Sequence, residues 1–102
     1  MKECCKTYLD AQFMGDADVV NAIYDEYVTS ITAKIGELKT SLAAKDWKQL
    51  DRIGHTIKGN ALAAGDEDSA QTAIALRSAA LLQNEAEVAG LVSKLEELAK
   101  LL

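Results

Sequence analysis

Apolar residues recur along this chain three or four positions apart, the spacing of one helix face, in four long runs preceded by a short leader. The clearest run carries Val20, Tyr24, Tyr27, Ile31, Ile35, Leu38 and Leu42 and predicts one long helix ending near Ala44. Ahead of it, Cys5, Leu9 and Phe13 stand four apart within residues 3–13, a short and weakly amphipathic stretch broken by Gly15. Asp16 is placed to cap the long helix, because its carboxylate can accept from the free N–H groups of a first turn. Lys45-Asp46 makes a tight connection, with Asp46 as the next cap.

A third run, through Trp47, Leu50, Ile53, Ile57, Ala61 and Ala64, predicts a helix over 47–64 that Gly65 can end. Asp66-Glu67-Asp68-Ser69 supplies acidic and capping groups for a fourth helix, from about Ser69 to Leu82. Its pattern is the least clean, since Ala70, Ala73, Ile74, Leu76, Ala80, Leu81 and Leu82 spread around much of the helix. Gln83-Asn84-Glu85 turns the chain into a last helix along Val88, Leu91, Val92, Leu95, Leu98 and Leu102. Short connections favour antiparallel neighbours. The expected fold is therefore all-α: an antiparallel up-down four-helix bundle with a short extra N-terminal helix.

Composition narrows the function more than the fold. A length of 102 residues suits one domain, spanning 1–102, and the absence of proline agrees with long helices. A net charge of −5 argues against nucleic acid, which needs a basic face to displace counterions. No run approaches the roughly 20 apolar residues that span a bilayer, and Met1-Lys2-Glu3-Cys4-Cys5 does not open a secretory signal. A cytoplasmic location is expected, with no membrane partner. Cys4 and Cys5 are adjacent, so on a helix their side chains diverge by about 100° and cannot easily share a metal ion. Two reduced thiols, at least one packed as a small hydrophobe, are expected, and no metal site.

The chemistry concentrates at one place. His55 is the only histidine, within Gly54-His55-Thr56-Ile57-Lys58-Gly59-Asn60 in the middle of the third helix. Its helical neighbours are Asp51, Arg52, Lys58 and Gly59, with Lys48 and Leu62 a turn further away. Ile57 lies about 200° around the helix from it, so burying Ile57 should expose the imidazole. Gly54 and Gly59 each cost about 0.8–1.0 kcal/mol relative to alanine inside a helix. Gly54, beside Ile53, can be explained by close packing of another helix. Gly59 shares the face of His55, where a bare patch admits another macromolecule's backbone. Lys58, with Lys48 and Arg52, forms a small basic stripe on an acidic protein, partly offset by Asp51 and suited to an acidic pocket or a phosphoryl group. An imidazole that is largely neutral at pH 7 can accept a phosphoryl group and pass it on. Triad hydrolysis would need a nucleophile that nothing here specifies, and no glycine-rich phosphate loop provides for ATP.

These residues resemble the signature of histidine-containing phosphotransfer (HPt) domains. That signature has a hydrophobic residue two positions after the histidine, lysine at three, glycine at four, a small polar residue at five and glycine at ten. Ile57, Lys58, Gly59, Asn60 and Gly65 stand there. The resemblance implies a four-helix bundle with an extra N-terminal helix and no kinase activity or cofactor of its own. Such a domain relays phosphate between aspartates of response-regulator receiver domains, fed through a hybrid sensor kinase, with any magnesium held by the receiver. By the same likeness His55 carries the phosphoryl group on Nε2, Lys58 contacts it and Gly59 clears room for the receiver. Monomers are the implied state. Two features depart from the family: three acidic residues follow Gly65 where many relatives are apolar, and Ala75-Leu76-Arg77 stands where a Leu-Glu pair is common. A transmitter kinase's own histidine helix is a poorer likeness, since Thr56 stands where that motif has an acidic residue and proline is absent.

The expected function is thus a phosphocarrier, with His55 as acceptor, Lys58 as electrostatic support, and Gly59, Lys48, Arg52 and Leu62 as docking contacts. Two rivals remain. One is a non-catalytic helical docking module, which leaves the order His55, Lys58, Gly59 without a reason. The other is the acceptor domain of a chemotaxis-type histidine kinase, fed from ATP by another domain.

Overall fold

The computed structural model describes residues 1–102 as five helices and no strand: α1 (Glu3–Gln12), α2 (Ala17–Ala43), α3 (Trp47–Ala64), α4 (Glu67–Leu81) and α5 (Glu85–Ala99). Helices α2 to α5 pack each beside the next, and α2 closes the ring against α5. This is the all-α bundle with a short N-terminal helix that the periodicity predicts. The 27 residues of α2 rise by about 40 Å, which matches the 42 Å long axis of the molecule and makes α2 its spine.

The helix starts follow from local chemistry. The carboxylates of Asp16 and Asp46 and the side-chain oxygen of Asn84 accept from the backbone N–H groups of Val19, Gln49 and Glu87, three residues on. Asp66 does the same for Ser69, so α4 begins at Glu67, two residues before the apolar pattern suggests. Gly65 ends α3 with φ 75°. A Cβ at that position would also collide with the Tyr8 side chain of α1. Gly65→Ala should therefore lower stability by at least the roughly 1–2 kcal/mol of a left-handed non-glycine residue, readable by urea unfolding. An unchanged midpoint would refute the constraint.

Burial sorts the stripes. Tyr27, Ile31, Ile35 and Leu38 of α2 meet Leu50, Ile53 and Ile57 of α3, Leu76 of α4, and Val88, Val92 and Leu95 of α5. The buried face of α4 is largely small, with Ala70, Ala73, Ala79 and Ala80. That is why its periodicity was hard to read: Ile74, Leu81 and Leu82, apolar in the sequence, are exposed.

A second cluster fastens α1. Cys5 and Leu9 pack on Val20 and Tyr24 of α2, while Cys4 is exposed. Burial first, and then the neighbouring Cys4 and Asp66, push the Cys5 thiol up to about 12, so it packs as a neutral small hydrophobe. Asp66, fully buried, accepts from Tyr27 Oη at 2.6 Å and from Lys2 Nζ at 2.9 Å. One carboxylate thereby joins the N-terminus, α2 and the α3–α4 turn. No helix is long and apolar enough to cross a membrane.

Candidate functional site

The core stripe of α3 decides where its histidine points. Leu50, Ile53, Ile57 and Ala61 are buried, and His55, on the opposite side, is exposed about midway along the helix. Thr56 turns its hydroxyl back to the Arg52 carbonyl at 3.2 Å, and Asn60 donates to Ser30 Oγ of α2 at 3.1 Å, tying α3 to α2 one turn beyond the imidazole.

The glycines on either side have different surroundings. Gly54 is buried against α4, and a Cβ there would lie 2.7 Å from Arg77 Cγ and 3.4 Å from Leu76 Cδ2. A Cβ at Gly59 would meet nothing within 4 Å. Gly54 thus answers to packing, as its place beside Ile53 implied. Gly59 answers to nothing inside this chain.

The charged residues divide between two flanks. Asp51 and Lys58 lie on the α4 side of His55, where they line a hollow with Ile74, Arg77, Ser78 and Leu81. Arg52 and Gly59 lie on the other side, both exposed. Lys48 and Leu62 sit about two turns away in opposite directions, both exposed. Lys48, Arg52 and Lys58 have no carboxylate within ion-pair distance. The Asp51 charge is already committed, because Arg77 Nε donates to its Oδ1 at 2.9 Å. It therefore offsets the basic stripe less than its position in the sequence implied.

Arg77 is the residue that sequence reasoning missed. While its Nε binds Asp51, its Nη1 donates to His55 Nδ1 at 3.2 Å. Asp51, Arg52, His55, Thr56 and Arg77 together line a shallow hollow without a hydrophobic side chain. The one signal in the sequence was the departure Ala75-Leu76-Arg77, whose meaning depends on which face of α4 meets α3. What remains without a hydrogen-bond partner on the exposed imidazole is Nε2, with a lysine and an unobstructed glycine within one turn.

A family model described as the Hpt domain matches residues 22–102. The chain belongs to the HPt family. The match covers α3 to α5 whole and most of α2, and the residues before it form α1 and the first turn of α2. No curated protein and no solved structure gives a match. HPt domains carry phosphoryl groups on histidine within phosphorelays, exchanging them with receiver domains and kinases. An exposed histidine on a helix of an HPt bundle is a placement that this chemistry requires, since the acceptor must reach another protein's phosphoaspartate.

Proposed function

We propose that the chain acts as one HPt domain, 1–102, that takes a phosphoryl group from a receiver aspartate onto His55 and gives it to a second receiver. The observation that carries this reading is the exposed imidazole with Nε2 unengaged, beside an uncommitted Lys58 ammonium and open space at Gly59. With the ring proton on Nδ1, Nε2 attacks phosphorus as the aspartyl oxygen leaves with the bonding pair, and Lys58 offsets the phosphoryl charge. Arg52, Lys48 and Leu62 serve as docking contacts in this reading, together with Ile74 and Leu81, which are exposed on α4. The basic side chains suit the acidic pocket of a receiver and speed encounter. The domain has no kinase activity and no cofactor of its own, works as a monomer in the cytoplasm, and draws its phosphate through a hybrid sensor kinase.

The test is phosphoryl transfer from a panel of charged receiver domains of the same organism, followed by intact mass. An added phosphoryl group that is acid-labile and alkali-stable supports the carrier and names a partner. No transfer from a fully charged panel to folded protein would favour a docking module or a kinase-fed acceptor.

Gly59 gives a sharper check. A glutamate there adds bulk and negative charge where a receiver brings its own acidic site, without touching the fold, because nothing lies within 4 Å of its Cβ. Transfer from a receiver should fall at least about tenfold, the effect of some 1.4 kcal/mol of lost encounter stability, with helical content kept. Unchanged transfer in Gly59→Glu would refute the access role.

A further inference from the structure

The contact between Arg77 and the ring has a consequence beyond orientation. We propose that Arg77 is a positioning residue that holds His55 through Nδ1, keeps the resting ring in the Nε2–H tautomer, and prolongs the life of the phosphoryl group once it is attached. This rests on the reading of His55 as acceptor.

Three separate features place the guanidinium. Gly54 leaves room for the aliphatic stem, since a Cβ there would come within 2.7 Å of Arg77 Cγ. Asp51, one turn before His55, takes Nε at 2.9 Å. The planar fork of the guanidinium then brings Nη1 to 3.2 Å from His55 Nδ1. Without the glycine the stem could not lie across α3, and without Asp51 the fork would be free to turn away.

A guanidinium only donates. Nδ1 must therefore present its lone pair, and the single proton of the neutral ring resides on Nε2. In that tautomer Nε2 has no lone pair in the ring plane with which to attack. Uptake requires the proton to leave Nε2 and one to occupy Nδ1, which displaces Arg77. The N–P bond then forms as the P–O bond to the donor aspartate breaks, its electron pair leaving on the carboxylate. The cationic ring gives its Nδ1 proton to solvent. Nδ1 is again a lone pair, and Arg77 can return to it.

The returned contact protects the product. Phosphoimidazole loses its phosphoryl group most readily when Nδ1 is protonated, because the ring then departs neutral rather than as an anion. Arg77 occupies the lone pair that this proton needs. The charged groups around the ring are Asp51, Arg52 and Lys58 from α3 and Arg77 from α4. Of these Asp51 is the one anion, and it is paired to Arg77. Release to a receiver then begins with the partner drawing Arg77 aside, which makes the stored phosphate durable in water yet available on docking.

Because His55 is the only histidine, its ring nitrogens can be read without ambiguity in the full chain. Long-range proton–nitrogen NMR of the neutral wild-type protein should show predominantly the Nε2–H tautomer, moving toward a mixture in Arg77→Ala. Both proteins are then charged with phosphoramidate, and the decay of the phosphorus resonance is followed at neutral pH. Decay should be about two- to five-fold faster in Arg77→Ala, the scale of one exposed hydrogen bond. Gly54→Ala keeps every charge but displaces the Arg77 stem, and should shift both readouts in the same direction. Normal charging with an unchanged lifetime in Arg77→Ala, or with an unchanged tautomer ratio, overturns the proposal and leaves the acceptor role standing. Failure of folded wild-type protein to charge from either phosphoramidate or receivers removes the acceptor role, and this proposal with it.

Discussion

His55→Gln should abolish phosphoryl uptake from every donor while leaving the bundle intact. Glutamine has no nitrogen nucleophile, so an acid-labile adduct should disappear altogether, with no residual fraction. The fold should not notice. His55 is exposed on α3 and its tertiary hydrogen bond is the one from Arg77, which a glutamine carbonyl can accept in turn. Stability should therefore stay within about 0.5 kcal/mol, as for surface substitutions generally. Intact mass after incubation with charged receivers, beside circular dichroism and urea unfolding, reads both halves of the expectation. Persistent labelling in His55→Gln would take this residue out of the mechanism, and a large loss of helix would make the missing label uninformative about chemistry.

Asp66→Ala should be a severely damaging change well away from that site, at about 3 kcal/mol. It removes the cap of α4, typically about 1 kcal/mol, and leaves the buried Tyr27 hydroxyl without its 2.6 Å partner, a further penalty of roughly 1–3 kcal/mol. Lys2, whose side chain is only 16% exposed, loses its 2.9 Å partner as well. For a domain whose total stability is of the usual 5–15 kcal/mol, that is a large fraction, readable as a lowered urea midpoint.

The same carboxylate sets a pH dependence. Burial pushes the Asp66 carboxyl up, but hydrogen bonds from Tyr27, Lys2 and Ser69 and the charge of Lys2 outweigh it and hold the group below its ordinary 3.8. A depressed folded value means that the group's stabilisation is complete above about 3.8 and is lost as pH falls through the lower folded value. Unfolding free energy measured from pH 5 down to pH 2 should fall along this limb in the wild type and less steeply in Asp66→Asn. Parallel curves would show that other carboxylates carry the acid sensitivity.

The acidic residue after Gly65 departs from the family's apolar habit, and the structure supplies its reason. Lys2 and Tyr27, 64 and 39 residues away in the chain, converge on Asp66 and turn it into the clamp of α1. Helix starts at Asp16 and Asp46, the αL stop at Gly65 and the stripes of α2 and α3 were legible because capping and periodicity are local properties, set by residues within one or two turns. The face of α4 was not legible. Alanines bury as readily as leucines when a neighbouring helix comes close, and Ile74, Leu81 and Leu82 remain outside because no helix covers them.

The family and the acceptor candidate were written in one stretch of α3. A histidine with isoleucine at two positions on, lysine at three and glycine at four needs no other helix to define its pattern, and helical geometry alone turns it away from Ile57. Tertiary structure decided what surrounds the ring. It separated Gly54, which yields to Arg77, from Gly59, which yields to nothing in this chain, and it split the basic stripe between two flanks. It also brought Arg77 across from α4 to Nδ1 and paired Asp51 with it. Sequence spacing determines the neighbours of a residue on its own helix, whereas contacts 22 and 26 residues apart exist only once the small face of α4 has packed on α3.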